Sequence, residues 1–103
     1  MATPRYLCSQ LVRLITNSRE QWVNLEEIWP AGAVVECEEA VSVGAAAKIS
    51  TDEVSFEGSV TVVEHDEFGW KVEIAFSADT PWNIERWRPD HALDPESLGR
   101  GST

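Results

Sequence analysis

Hydrophobic and polar residues alternate most cleanly in two segments of the chain. Val54, Phe56, Val60 and Val62 share one parity against Ser55, Glu57, Ser59 and Thr61, and Trp70, Val72, Ile74 and Phe76 repeat the arrangement against Lys71, Glu73 and Ser77. A two-residue period puts alternate side chains on opposite faces of a strand, so both segments read as half-buried strands. Glu64-His65-Asp66-Glu67-Phe68-Gly69 between them reads as the longer loop of an antiparallel hairpin. Upstream, Leu7 to Thr16 mixes Leu, Val, Ile and Thr around Arg13 and predicts a first strand, followed by an Asn17-Ser18 turn. A second strand fits Gln21 to Ile28 and stops at Trp29-Pro30-Ala31-Gly32, because proline cannot donate to a ladder. Ala33 to Cys37 resumes as a third strand, Ala40 to Gly44 reads as a bend, Ala45 to Ser50 as a weaker strand, and Thr51-Asp52-Glu53 as a turn.

About six short strands with regularly spaced turns predict an all-β, mainly antiparallel six-stranded domain, and its small size favours a barrel over a sandwich. The pattern changes at Asp79-Thr80-Pro81-Trp82. Thr80 suits a helix cap and Pro81 a first helical turn, so a short C-terminal helix is expected over about Pro81 to Arg88, limited by Pro89. Trp82 and Trp87 are expected to cover one end of the barrel. The chain thus divides into a single domain over residues 5–93 and a polar tail over 94–103, with Met1 to Pro4 read as a loose terminus.

Composition bears on partners. The chain has 103 residues, 43% of them hydrophobic, enough for one buried core. It carries 8 basic and 18 acidic residues, a net charge of −10. That balance opposes binding to DNA or RNA, which requires an excess of cations to replace condensed counterions. No apolar run approaches the roughly 20 residues that span a bilayer, so no membrane insertion is expected. Cys8 and Cys37 share no metal-ligand spacing, and the N-terminus has no signal-peptide apolar run, which together suit a reducing cytoplasm.

Catalytic chemistry finds no foothold. His65 and His91 lie near no nucleophile signature, the acidic residues are too many to single out a general acid, and the glycines are scattered singly rather than as a phosphate loop. No enzyme and no metal or cofactor are expected. The most informative stretch is Asn24 to Ala33, where an acidic strand end passes through a proline turn to Gly32.

Together with the basic lead at Arg5, the Val41-Ser42-Val43-Gly44 bend, Phe56-Glu57-Gly58-Ser59-Val60 and Gly69 to Phe76, that stretch resembles the PilZ domain over roughly Arg5 to Leu93. The PilZ fold is a bacterial six-stranded barrel with a following helix that commonly senses cyclic di-GMP. Ligand-binding members carry two arginines four residues apart before the barrel and a D/N-x-S-x-x-G turn between the second and third strands. Matching these motifs gives Arg5, Ser9, Glu27, Trp29 and Gly32 as the candidate cyclic di-GMP site. Ser9 stands where the second arginine belongs, Glu27 replaces Asp or Asn, Trp29 replaces Ser, and Gly32 agrees. The resemblance therefore implies a signalling or adaptor module in which nucleotide binding is weakened or lost and an unidentified protein is the partner, with Trp82, Trp87 and Arg88 as candidate contact residues. The alternative is a cyclic di-GMP receptor with a divergent site built on Arg5, Glu27 and Gly32; a stand-alone barrel or small enzyme unrelated to that family stands as a third reading.

Overall fold

Six antiparallel strands close into a barrel in the order β1-β2-β3-β6-β5-β4. They are β1 (Tyr6–Thr16), β2 (Arg19–Trp29), β3 (Gly32–Cys37), β4 (Ala46–Ser50), β5 (Ser55–Asp66) and β6 (Gly69–Phe76). The computed structural model describes residues 5–93; the expected loose start at Met1 to Pro4 and the polar tail at 94–103 lie outside the described residues. Inward positions form one apolar core that includes Val12, Leu14, Val23, Leu25, Ile28, Val35, Ile49, Phe56, Val60, Val72 and Ile74. Closure leaves few edges to solvent, which is how a small all-β domain avoids open pairing surfaces.

Of the two hairpins at one end, the first turns at Asn17-Ser18 as expected, and the second is tighter than the sequence pattern suggests. Asn17 and Ser18 both have positive φ, 48° and 68°, the geometry of a type I′ turn whose twist matches its strands. The expected loop from Glu64 to Gly69 is instead mostly strand: His65 pairs with Trp70 and Asp66 with Gly69, leaving only Glu67 and Phe68 in the turn. Asp66 stabilises that turn, its Oδ1 accepting the Phe68 and Gly69 amides at 2.8 and 3.0 Å. His65 packs against Trp70 with ring centroids 4.5 Å apart.

The expected parity of β5 fails at Val62. The register passes from Val60↔Ile74 to Val62↔Glu73, so Thr61 is an extra residue and β5 bulges there. A bulge reverses the faces beyond it. Val62 consequently lies outward and is 39% exposed, while Val60 remains in the core. A second bulge in β2, between Leu25 and Glu27, turns two consecutive glutamates toward the outer surface.

The expected helix over 81–88 is not formed. Residues Ile84–Arg86 make a single turn, in which the Arg86 and Trp87 amides meet the Asn83 carbonyl and the Asn83 side chain also accepts the Arg86 amide. Thr80 is drawn away from a capping role, because its hydroxyl bonds both the Glu57 amide and the Glu57 carbonyl at 3.1 Å. The segment is an irregular strap. Trp82 donates its amide to the Pro30 carbonyl in the β2–β3 turn, and further on Leu93 exchanges backbone bonds with Leu7 while Ser9 donates to Asp90. β4 pairs only with Arg13 to Thr16 of β1, so the strap covers part of the edge that β4 leaves open.

Candidate functional site

Strand register sets out an open groove on the outer face of β2, β3, β6 and β5. Glu27 pairs with Val34, Val34 with Glu73, and Glu73 with Val62, one row of outward positions across four strands. A neighbouring row joins Glu36, Lys71 and Glu64. The groove has a volume of about 310 Å³ and is lined by Arg5, Glu27, Val34, Val62, Glu64, Lys71 and Glu73. Thr61, the bulged residue, donates its hydroxyl to the Glu73 carbonyl at 3.2 Å and thereby ties β5 to β6 at the bulge.

Arg5 contributes its guanidinium to this surface in a committed state. Its Cζ lies 3.9 Å from the Trp29 ring centroid, and its Nη1 is 3.5 Å from Glu73 Oε1. A cation over an indole at an exposed site is worth about 0.5–1 kcal/mol, and an exposed ion pair about as much or less. Trp29 in turn lies across Gly32. A β-carbon added to Gly32 would meet the Trp29 ring at 2.9 Å and would collide with the Ile74 carbonyl. The glycine's open face is therefore filled by the indole.

Four of the five candidate nucleotide-site residues thus come together: Arg5 and Glu27 line the groove, Arg5 rests on Trp29, and Trp29 rests on Gly32. Ser9 does not join them. It sits at the irregularity in β1, its hydroxyl bonding Asn24 and its amide bonding Asp90. Val34, Val62, Glu64, Lys71 and Glu73 were not singled out by motif matching. Lys71 and Glu73 carry the right signal, as polar members of an alternating strand, but only the register across strands shows which residues they face.

Trp82 and Trp87 are interior, at 2% and 5% exposure. Trp82 donates its indole N–H to the Trp87 carbonyl at 2.8 Å and meets Tyr6 edge-on at 5.3 Å, while Phe56 stacks on Phe76 at 5.1 Å and Trp87 tilts against Phe56. These rings plug the barrel end, which places both tryptophans among core residues rather than surface contacts. Arg88 alone of the three candidate contact residues is exposed.

The electrostatics of the acidic face are uneven. Glu36 Oε1 is shielded from solvent without a hydrogen-bond donor, and its carboxyl is pushed above the ordinary glutamate value, first by desolvation and then by Asp66. Asp66 is held below its ordinary value, chiefly by the Phe68 amide. Protonation of Glu36 would supply the donor that two ionised carboxylates lack. A raised carboxyl favours folding below its unfolded value, and that contribution is lost as pH rises through the folded value. Glu36→Gln, which carries a permanent donor, is therefore expected to raise the melting temperature at pH 7 and to lose this advantage near pH 4. Thermal unfolding across that range checks it, and a benefit constant with pH would contradict the upward shift of Glu36. The thiols are inert: Cys8 is pushed up to about 12 by burial and then by Glu27 and Glu26, and Cys37 likewise by burial and then by Glu36.

Among the described residues no group of three or more His, Cys, Asp or Glu is arranged to hold a metal ion, and no helix is long and apolar enough to cross a membrane. Neither the family models nor the curated proteins contain a match to this chain. Among solved structures, the chain is similar to the Borreliella burgdorferi PlzA protein in its crystal structure with c-di-GMP, at 18% identity and a TM-score of 0.58. The similarity covers 76% of this chain but only 30% of the PlzA chain, and at that level of identity the two share a barrel fold.

Proposed function

We propose that this domain is a PilZ-like bacterial signalling module, cytoplasmic and non-enzymatic, that acts through protein contacts with cyclic di-GMP binding weakened or lost. The likeness of its barrel to that of PlzA supports the relation, and the condition of Arg5 and Gly32 carries the loss. A cyclic dinucleotide presents two phosphates and two guanine edges. Here the guanidinium that would meet a phosphate is engaged by Trp29 and Glu73, the glycine surface that would receive the ligand lies under an indole, and the groove beside them adds Glu27 and Glu64. At about 4 Å a like-charge contact costs roughly 1 kcal/mol in water and about 4 kcal/mol at a partly screened surface. Several such contacts outweigh the single available arginine.

The expected result in calorimetry with cyclic di-GMP is a Kd weaker than about 100 μM. Binding at micromolar strength or tighter would establish the divergent-receptor reading, which the partial exposure of Arg5 favours: 48% of its side chain stays open, beside a ring able to stack on a base. The variant Trp29→Ser with Glu73→Gln uncovers Gly32 and releases Arg5. A freed charge-assisted bond is worth about 1.5–3 kcal/mol, so affinity is expected to rise by roughly 10- to 150-fold.

A further inference from the structure

We infer that the outer groove docks an extended basic segment of a partner protein, with arginine or lysine side chains at Glu27 and Glu64 and an apolar side chain against the exposed Val62. This deepens the protein-contact reading and rests on it. The two cations lining the groove are already engaged, Arg5 by Glu73 and Trp29, and Lys71 by Glu26 at 3.7 Å. Glu27 and Glu64 form no ion pair among the described residues. With Glu26 and Glu36 flanking, and a chain charge of −10, the groove attracts cations and repels anions.

Its floor selects among cations. Val62 is 39% exposed on the outer face, where the bulge at Thr61 has turned it, whereas Val34, on the far side of Glu73 in the same row, is 5% exposed and contributes only the groove's deep edge. A compact inorganic cation gains nothing from valine, whereas the methylene stem of lysine or arginine covers it while the charged head reaches a carboxylate. At about 310 Å³ the groove sits at the lower edge of the range of roughly 300–1,000 Å³ typical of small-ligand pockets, and it is open along the sheet.

Spacing gives the segment its form. β2 and β5 are separated by three strand intervals, on the order of 14 Å, and four residues of extended chain cover about 13 Å. Residues i, i+2 and i+4 of an extended peptide share one face. Glu64 lies two residues beyond Val62, in the neighbouring row, so its diagonal separation from Glu27 is on the order of 16 Å. Basic side chains at i and i+4 span that separation by their own length, with an apolar residue at i+2 beside Val62.

The probe is the peptide acetyl-Arg-Ser-Val-Ser-Arg-amide, titrated into the isotopically labelled full chain and followed by amide chemical shifts. Saturable shifts centred on Glu27, Val34, Val62, Glu64 and Glu73 are expected, with affinity reduced about five-fold or more in the Glu27→Gln, Glu64→Gln double variant. Three results would overturn the proposal: shifts of equal size at remote acidic positions such as Glu38, Glu39, Asp52 and Glu53, unchanged affinity in the double variant, or equal binding of acetyl-Glu-Ser-Val-Ser-Glu-amide. Cyclic di-GMP, titrated separately, tests the reading beneath: its binding would remove that reading whatever the peptides do, and failure of the basic peptide alone leaves the loss of nucleotide binding intact.

Discussion

Trp82→Ala is expected to destabilise the fold by about 3–5 kcal/mol, the range for removing a large buried aromatic ring. Domains of this size are commonly stable by only about 5–15 kcal/mol, so the variant should be largely unfolded under mild denaturant. The indole is 2% exposed, packs edge-on against Tyr6, and donates to the Trp87 carbonyl, which makes it the link between strap and barrel end. Trp82→Phe separates ring from donor. It keeps most of the apolar volume but leaves the Trp87 carbonyl without its partner, a loss of about 1–3 kcal/mol. Urea unfolding of both variants measures the two contributions. A Trp82→Ala protein with an unchanged midpoint would place the indole outside the core and return it to the surface contacts.

Gly58→Ala should lower stability by about 3 kcal/mol, at the upper end of overpacking costs. The added methyl would run into the Ala75 carbonyl oxygen and approach the Ala75 carbonyl carbon and Phe76 Cα to 2.8 and 2.9 Å. All three atoms belong to the β6 backbone, so no rotamer change relieves the collision. β5 and β6 would have to separate where Phe56 stacks on Phe76. For a domain this small the melting temperature should fall by more than about 10 °C. Gly44→Ala provides the contrast. It has φ of +90° and nothing within 4 Å of an added carbon, so only backbone strain of about 1–2 kcal/mol opposes it. Equal losses in the two variants would mean that the β5–β6 approach at Gly58 is looser than described.

The strands were largely legible because a two-residue period is a direct consequence of pleating, and the alternation around Phe56 and around Val72 and Ile74 survives intact in the barrel. Val62 departed from it because a bulge is a property of pairing: nothing in Val60-Thr61-Val62 announces which residue the neighbouring strand will skip. The helix expected after Thr80 failed for a related reason. Thr80 and Pro81 are sound local signals, but the Thr80 hydroxyl finds both polar groups of Glu57, and burial of Trp82 and Trp87 directs the chain across the barrel end instead of into a continuing helix. Local propensity is worth only tenths of a kcal/mol per residue and yields to that burial.

The candidate site divides along the same line. Amino-acid order alone determined that Arg5 lacks a second arginine at Ser9, that Trp29 and Glu27 occupy the turn positions, and that an excess of acid disfavours anionic partners. These are matters of side-chain chemistry and hold in any conformation. Tertiary structure decided that Arg5 is engaged by Trp29 and Glu73, that Ser9 faces Asn24 and Asp90, and that Glu27, Val34, Glu73 and Val62 form one row. The physical reason is that a groove on a sheet is assembled from residues on four strands, and two bulges together with the register set which of them become neighbours.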